Sequence, residues 1–196
     1  MPNTVVHEEV GCYLSKKLNI SSYEFYLGLM APDAVNVEHF ASKQERWTSH
    51  IRDKDLNIWK ENLKTFYKET KNKINNDFLL GYTIHILTDI VYDEYLEEKI
   101  HQEILNDYEE RDYWYIKWSD MDKYSFKGQS LINDILNSSN NYIEIKNITK
   151  DKLLKWKDKY LKNQSNLNKS LYFNQKIIDN LNIRVEEELK EIIKNK

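Results

Sequence analysis

Apolar residues recur at helical spacing along most of the chain. The first such stretch predicts an amphipathic helix that ends near Asn19 and carries its apolar positions at Val6, Val10, Leu14 and Leu18. A second helix is predicted over 23–30, because Ser22 can cap its start and Pro32 disfavours helical geometry in the residue before it. Asp33 then lies on a turn just beyond a helix end, where a side chain can point into a cleft.

The most apolar pattern of the chain begins at Phe78, behind the capping residues Asn75, Asn76 and Asp77, and continues to about Ile104. Its first half is apolar almost all round, which predicts a helix through the middle of the molecule. Residues 34–53 are predicted as loop plus a short helix, and 56–67 as a clear helix. An aromatic segment at 113–118, a polar linker at 137–141 and helical patterns at 150–162 and 170–194 follow.

Composition narrows the fold class. The 196 residues include 4 glycines and 2 prolines, which leaves few of the punctuating residues that the turns of a sheet require. A chain of 196 residues is long enough for one sizeable hydrophobic core but short for two. We therefore predict an all-α protein, a compact multi-helix bundle, with residues 1–196 forming a single domain.

Charge and cysteine content exclude several classes of function. A formal net charge of −3 with well-mixed charges offers no basic field for generic nucleic-acid binding. The single cysteine, Cys12, lies in an apolar helical pattern and is predicted to be a buried structural thiol. No run approaches the roughly 20 apolar residues of a transmembrane segment, and the start of the chain does not resemble a signal peptide. A cytoplasmic protein is expected.

The strongest chemical signal is a histidine and an aspartate four residues apart, His85 and Asp89, inside the most apolar helix. This spacing places imidazole and carboxylate on one face. A buried carboxylate needs a cation, a metal or dense hydrogen bonding. A core histidine that simply pairs with an aspartate explains the motif equally well.

Three more residues extend this signal: His7 at the start of the first helix, Asp33 after Pro32, and His50 in a polar stretch. Together the five supply three imidazoles and two carboxylates, a set that suits zinc, manganese or iron and has enough ligands for a pair of ions.

The order of these motifs resembles the bacterial zinc-dependent phospholipase C family, whose helical fold is related to that of single-strand-specific zinc nucleases. The resemblance covers residues 1–95 and rests on an early His, the segments GLMAPD and FLLGYTIHILTD, and an intervening Ser-His. It implies a helical bundle with two zinc ions. Asp33, His50 and His85 would hold one ion, His7 would help to hold the second, and Asp89 would bridge them.

The implied activity is hydrolysis of phosphate esters, phospholipids included, by a metal-activated water, with Asp33 and Asp89 as the catalytic residues. Asp33 would accept a proton, and Arg52 is a candidate clamp for phosphate, although an ordinary salt bridge explains it better. The third metal of the secreted members needs a His and a Glu, whereas this chain has Asp93, Glu94 and Tyr95 after Asp89. We therefore expect no more than two tightly held ions.

Other histidines and acids are weaker candidates. His39 and His101 are predicted to be solvent-exposed rather than ligands, and Asp93 could point into the cleft from one turn beyond Asp89.

Two alternative functions remain open at this point. One is a nucleotide phosphohydrolase of the His-Asp type, although the adjacent His-Asp pair of that class is absent. The other is a non-catalytic binding or scaffold protein with a degenerate metal site, because fold resemblance does not establish activity.

Overall fold

The structure, a computed structural model, describes residues 2–126, 128–162 and 170–194. These residues form ten α-helices and two short 3₁₀ helices, with a single isolated β-bridge and no strand among them. The α-helices are α1 (Thr4–Leu18), α2 (Tyr23–Met30), α3 (Lys43–Ser49), α4 (Leu56–Thr70), α5 (Asn76–Tyr95), α6 (Glu97–Leu105), α7 (Tyr113–Met121), α8 (Gln129–Asn137), α9 (Lys150–Lys162) and α10 (Gln175–Lys194), and the 3₁₀ helices are Ala31–Asn36 and Glu110–Asp112. The predicted all-α class is confirmed.

Helix α5 lies at the centre of the described bundle, as its apolar pattern predicts. Every residue from Phe78 to Tyr92 except Leu80 is buried. Helices α1, α2, α4 and α10 pack around it. Any polar side chain on this part of α5 is therefore held in the protein interior, and this is where His85 and Asp89 lie.

Helices α2 and α5 approach so closely that only glycine fits at the contact. A Cβ added to Gly28 of α2 would overlap the carbonyl oxygen of Phe78, and one added to Gly81 of α5 would overlap that of Phe25. Backbone atoms cannot move aside as flexible side chains do. The two glycines therefore bring the end of α2 and the Ala31–Asn36 turn against the middle of α5.

Helix boundaries agree with the sequence pattern in the first third of the chain. Helix α1 ends at Leu18, and Asn19 caps it in the left-handed conformation with φ 54°. Helix α2 spans Tyr23–Met30, and the Ser22 side chain accepts a hydrogen bond from the Phe25 amide at its start. The predicted short helix within 34–53 is α3.

The prediction of one helix from Phe78 to about Ile104 is wrong. Helix α5 ends at Tyr95, Leu96 adopts φ −122° and ψ −29°, and α6 starts at Glu97. The sequence hides this interruption because Leu96, Ile100 and Ile104 are all buried and preserve the helical period through it.

Two further differences lie in the second half of the chain. The pattern at 170–194 is helical only from Gln175, since the backbone amides of 171–173 are bound by the Asp120 carboxylate instead. Helix α8 lies where no helix was predicted; it is a short element that buries Ile132 and Leu136. Among the described helices, none combines the length and the apolar character needed to cross a bilayer.

Candidate metal centre

His85 and Asp89 project from the same face of α5 into the interior, and each is 0% exposed. The Nδ1 atom of His85 lies 2.7 Å from the carbonyl oxygen of Leu29, at the close contact between α2 and α5. A carbonyl can only accept, so Nδ1 carries the proton and Nε2 presents a lone pair to the interior. Such a bond to a backbone carbonyl is the usual support of a metal-binding histidine.

His50 lies at the C-terminal end of α3 and is 1% exposed. Its Nδ1 lies 2.9 Å from the Arg46 carbonyl oxygen, so that Nε2 again faces the interior. The chain leaves the helix through Ile51 at φ 54°, a strained conformation for a β-branched residue. Trp59 Nε1 holds the turn by donating to the His50 carbonyl oxygen at 2.9 Å. Strain held in place by surrounding contacts is common at functional sites.

His7 and Asp33 reach the same place from two other elements. The imidazole of His7 on α1 stacks on that of His85, with ring centroids 3.7 Å apart and planes at 10°. Asp33 lies in the 3₁₀ helix that follows α2, and its side chain is 16% exposed against 0–1% for the other four residues. Thr4 lies 3.4 Å from its Oδ2 and can donate a hydrogen bond there. Asp33 therefore lies at the edge of the cluster that is nearest to solvent.

The donor atoms are spaced as ligands of a metal are. His50 Nε2 lies 3.3 Å from His85 Nε2 and 3.5 Å from Asp33 Oδ1. It also lies 3.6 Å from Oδ2 of Asp89, whose other oxygen, Oδ1, is 3.4 Å from His7 Nε2. Ligands held about 2.05 Å from a tetrahedral zinc lie about 3.3 Å from one another. These four separations of 3.3–3.6 Å are close to that edge length, whereas His85 Nε2 and Asp89 Oδ2 lie 3.9 Å apart.

These atoms form two overlapping groups, namely Asp33, His50 and His85, and His7, His85 and Asp89. Because Nδ1 of His85 is bonded to a carbonyl, only its Nε2 is available, and this atom lies 3.3 Å from Nε2 of His50 and 3.9 Å from Oδ2 of Asp89. His85 is therefore common to the two groups.

Several of these buried polar atoms lack a hydrogen-bond partner. Both ring nitrogens of His7 and both carboxylate oxygens of Asp89 are buried without one. Orphaned polar groups in a protein interior are costly and are rare unless water or an ion satisfies them. The residues present therefore fit a bound cation.

Electrostatics favour the ligand forms of these side chains. Burial raises the pKa of Asp89, but the imidazoles of His7, His85 and His50 outweigh burial and hold this pKa well below its usual range. Burial, with the neighbouring His7, lowers the pKa of His85 to about 3. At neutral pH the site thus offers an ionised carboxylate beside a neutral imidazole, the forms that bind a metal.

The pKa values of Asp33 and His50 move in opposite directions. Burial raises the pKa of Asp33, but its hydrogen bond with His50 and the nearby imidazoles lower it overall. Burial lowers the pKa of His50, but Asp33 and Asp89 raise it overall. Both shifts favour the carboxylate form of Asp33 and the imidazolium form of His50.

The weaker candidates lie outside the cluster. Asp93 accepts a hydrogen bond from Arg52 Nη2 at 2.7 Å, and the Arg52 guanidinium covers the Trp59 ring at 4.7 Å. His39 is exposed, and His101 lies 3.0 Å from the Glu110 carboxylate, where a single hydrogen bond satisfies its Nε2. Arg52 is thus found in the ordinary salt bridge that the sequence favoured.

Residues that support the centre were not predicted. Leu29 contributes through its carbonyl oxygen, Gly28 and Gly81 allow the helices to approach, and Ile51 gives the turn after His50 its conformation. Among these only the glycines, scarce in this chain and present in both quoted motifs, offered a signal in the sequence.

No family model, curated protein or solved structure matches the chain. The likeness to zinc-dependent phospholipase C therefore rests on the quoted motifs alone.

Proposed function

We propose that this chain is a metal-dependent hydrolase of phosphate esters, with zinc ions held by His7, Asp33, His50, His85 and Asp89. The observation that carries the proposal is the convergence of five donor side chains, from four separate elements, into one buried cluster whose neighbouring donor atoms lie 3.3–3.9 Å apart. Both oxygens of the central carboxylate, Asp89, lack a hydrogen-bond partner, and a bound cation would satisfy them.

The ligand set suits zinc, manganese or iron better than calcium or magnesium, and the family resemblance favours zinc among the three. Imidazole and carboxylate together suit zinc, manganese and iron, whereas calcium and magnesium prefer oxygen alone. Asp33, His50 and His85 would hold the first ion with one oxygen of Asp89. His7 and the other oxygen of Asp89 would hold the second, which has fewer ligands from the chain and is expected to bind less tightly.

Bound zinc would supply Lewis acidity toward a phosphate oxygen and lower the pKa of water toward neutrality. The chain's own residues would orient this chemistry. Asp89 balances charge from the buried side, and Asp33 lies where substrate can reach it. The lowered pKa of Asp33 favours its role as a ligand and makes it a weak proton acceptor. Arg52 would bind phosphate only after it leaves Asp93.

The substrate class follows from the resemblance. The segments shared with zinc-dependent phospholipase C carry all five donor residues, and that family cleaves phosphodiesters of lipids. For this chain we propose phosphate esters in general as the substrate class, with phospholipids included. We also propose that the protein acts in the cytoplasm.

A non-catalytic metal site is the second candidate, and a specific observation favours it. Catalytic zinc keeps one coordination position open, whereas structural zinc is enclosed by the chain. Four of the five donor side chains are at most 1% exposed. In this alternative the ion would fasten α1, α3 and α5 to the Ala31–Asn36 turn.

Turnover separates the two candidates. The protein is stripped with a chelator, reloaded with zinc, and assayed on bis-p-nitrophenyl phosphate and p-nitrophenyl phosphate, with Asp33→Asn as a matched variant. The proposal predicts zinc-dependent hydrolysis that Asp33→Asn reduces by about 100-fold or more. Tightly bound zinc that raises the thermal midpoint without any hydrolysis would instead establish the structural role.

A further inference from the structure

Three aromatic side chains of α7 surround a hollow on the surface that the proposed function does not use. Trp114, Tyr115 and Trp118 are 59%, 75% and 40% exposed. With Ser119 and Asp122 they line a space of about 480 Å³, which is within the size range of small-ligand sites. None of these five residues belongs to the candidate metal centre.

The indoles of Trp114 and Trp118 already lie close to a buried cation. Lys117 is 0% exposed, and its Nζ lies 5.0 Å from the ring centroid of Trp114 and 5.8 Å from that of Trp118. Glu97 neutralises this ammonium through a 2.5 Å contact. Both indoles thus lie within cation–π distance of one buried ammonium, while Trp114 and Trp118 keep 59% and 40% of their surface exposed.

The charge of the hollow is complementary to a cation. Asp122 is the only charged residue among the five described residues that line it. The negative face of an aromatic ring attracts cations. A strongly hydrated cation with N–H groups gains little by leaving water for such a face. A quaternary ammonium has no N–H to satisfy, and its methyl groups pack on the rings.

We propose that the hollow formed by Trp114, Tyr115, Trp118 and Asp122 binds a quaternary ammonium group. The rings supply cation–π contacts and apolar area, and the Asp122 carboxylate supplies the compensating charge. The group could arrive as a free solute or as the head group of a lipid, and the same chemistry recognises both. A protein partner is a poorer fit, since one small hollow falls far short of the roughly 800 Å² that a stable interface buries on each side.

The test uses the full chain and a pair of ligands of equal shape. Choline is titrated against the intrinsic tryptophan fluorescence in parallel with 3,3-dimethylbutan-1-ol, which replaces the charged nitrogen by carbon. The proposal predicts saturable quenching by choline, with an affinity at least about tenfold above that of the neutral isostere. Equal responses to both ligands, or none to choline, would overturn it.

Variants assign the signal to the hollow. Tyr115→Leu alters the most exposed of the three rings, so folding is expected to be retained, and Asp122→Asn removes the charge. Each is expected to weaken choline binding at least about fivefold. Tyr142→Leu is the matched control, because Tyr142 is also an exposed tyrosine, at 45%, and lies outside the hollow. Unchanged binding in both Tyr115→Leu and Asp122→Asn would contradict the assignment.

Vesicles distinguish the two sources of the ligand. Co-sedimentation with phosphatidylcholine vesicles that free choline reverses would identify a lipid head group. Choline binding without co-sedimentation would identify a free solute, and either result supports the proposal. Equal binding to phosphatidylglycerol vesicles, which lack the quaternary ammonium, would show a general interfacial patch and overturn it. None of these variants changes a residue of the candidate metal centre, so zinc binding serves as a separate check that each variant is folded.

Discussion

Two buried carboxylates of this protein, Glu8 on α1 and Asp89 on α5, have opposite electrostatic properties. Glu8 is 2% exposed and Asp89 is 0% exposed, so both have lost nearly all contact with solvent. Burial raises the pKa of Glu8 to about 8, and the hydroxyl of Tyr160 is its hydrogen-bonding neighbour. The pKa of Asp89 lies below its usual range instead, because three imidazoles surround it.

Neighbouring residues of one helix show why the two sites differ. His7 and Glu8 are both buried, but His7 reaches α5 and Glu8 reaches Tyr160 on α9. A carboxylate buried beside a phenol keeps its proton and contributes to packing. A carboxylate buried among imidazoles stays ionised and attracts a cation. Burial alone therefore does not identify a metal ligand; the residues that surround it do.

The largest effect is expected from the same amide substitution at the two acids. Asp89→Asn should weaken zinc binding by at least about 100-fold, since an amide neither bridges two cations nor balances their charge. Glu8→Gln should leave zinc affinity within about twofold, because Glu8 is already neutral at pH 7. Competition titration against a zinc chelator measures both. Equal zinc affinities for the two variants would remove the distinction between the acids.

A second expectation concerns the pH dependence of stability. The folded state holds the Glu8 proton up to pH about 8, whereas the unfolded chain releases it near 4.5, so the free energy of unfolding falls as pH rises between these values. By pH 7 the loss is on the order of 3 kcal/mol, at about 1.4 kcal/mol for each unit of pKa shift. Glu8→Gln should abolish this part of the slope in urea unfolding at pH 5 and 7. Parallel pH profiles for the variant and the original protein would contradict it.

A third expectation concerns the glycine contact that aligns His85. Gly81→Ala should destabilise the fold by about 1–3 kcal/mol, because its Cβ meets the backbone of α2. Gly11→Ala is the matched control, since its Cβ meets only the flexible end of the Leu29 side chain and alanine favours the helix. Urea denaturation of both variants compares them. A larger loss of stability in Gly11→Ala than in Gly81→Ala would contradict the view that the contact between α2 and α5 is less able to adjust than the contact of Gly11 with the Leu29 side chain.

The smallest effect is expected in the proton balance of metal binding. The raised pKa of His50 keeps part of it protonated near neutral pH, and zinc must displace that proton, so zinc affinity should rise with pH. In the metal-free protein this imidazolium stabilises the fold below pH about 6.5, and the stabilisation is lost as pH rises through the raised pKa. Calorimetry in buffers of different ionisation enthalpy should detect up to about one released proton. The His50→Ala variant should release fewer protons for each zinc ion bound.

Local signals predict part of the site, whereas neither spacing nor helical period indicates that His7 and His50 lie beside His85 and Asp89. The four-residue spacing of His85 and Asp89 fixes one face of a helix, and Pro32 fixes the turn that carries Asp33. The end of α2 at Met30 was predicted from the same proline. These predictions needed only propensities and periodicity.

The parts that were missed depend on tertiary contacts. The interruption at Leu96 leaves the apolar period intact, so no local signal marks it. The left-handed Ile51 contradicts the preference of its own side chain, and the α7–α6 contact of Lys117 with Glu97 joins residues 20 positions apart. Such features become visible only when the neighbouring elements are in place.

Elemental analysis of the purified protein after exhaustive dialysis tests the central claim most directly. The claim is that His7, Asp33, His50, His85 and Asp89 form a zinc centre. It predicts at least one and no more than two retained zinc equivalents per chain, with most of this zinc lost in Asp89→Asn. A metal-free protein that fails to take up added zinc would contradict the claim. Three retained equivalents would contradict the limit of two and require ligands beyond these five residues.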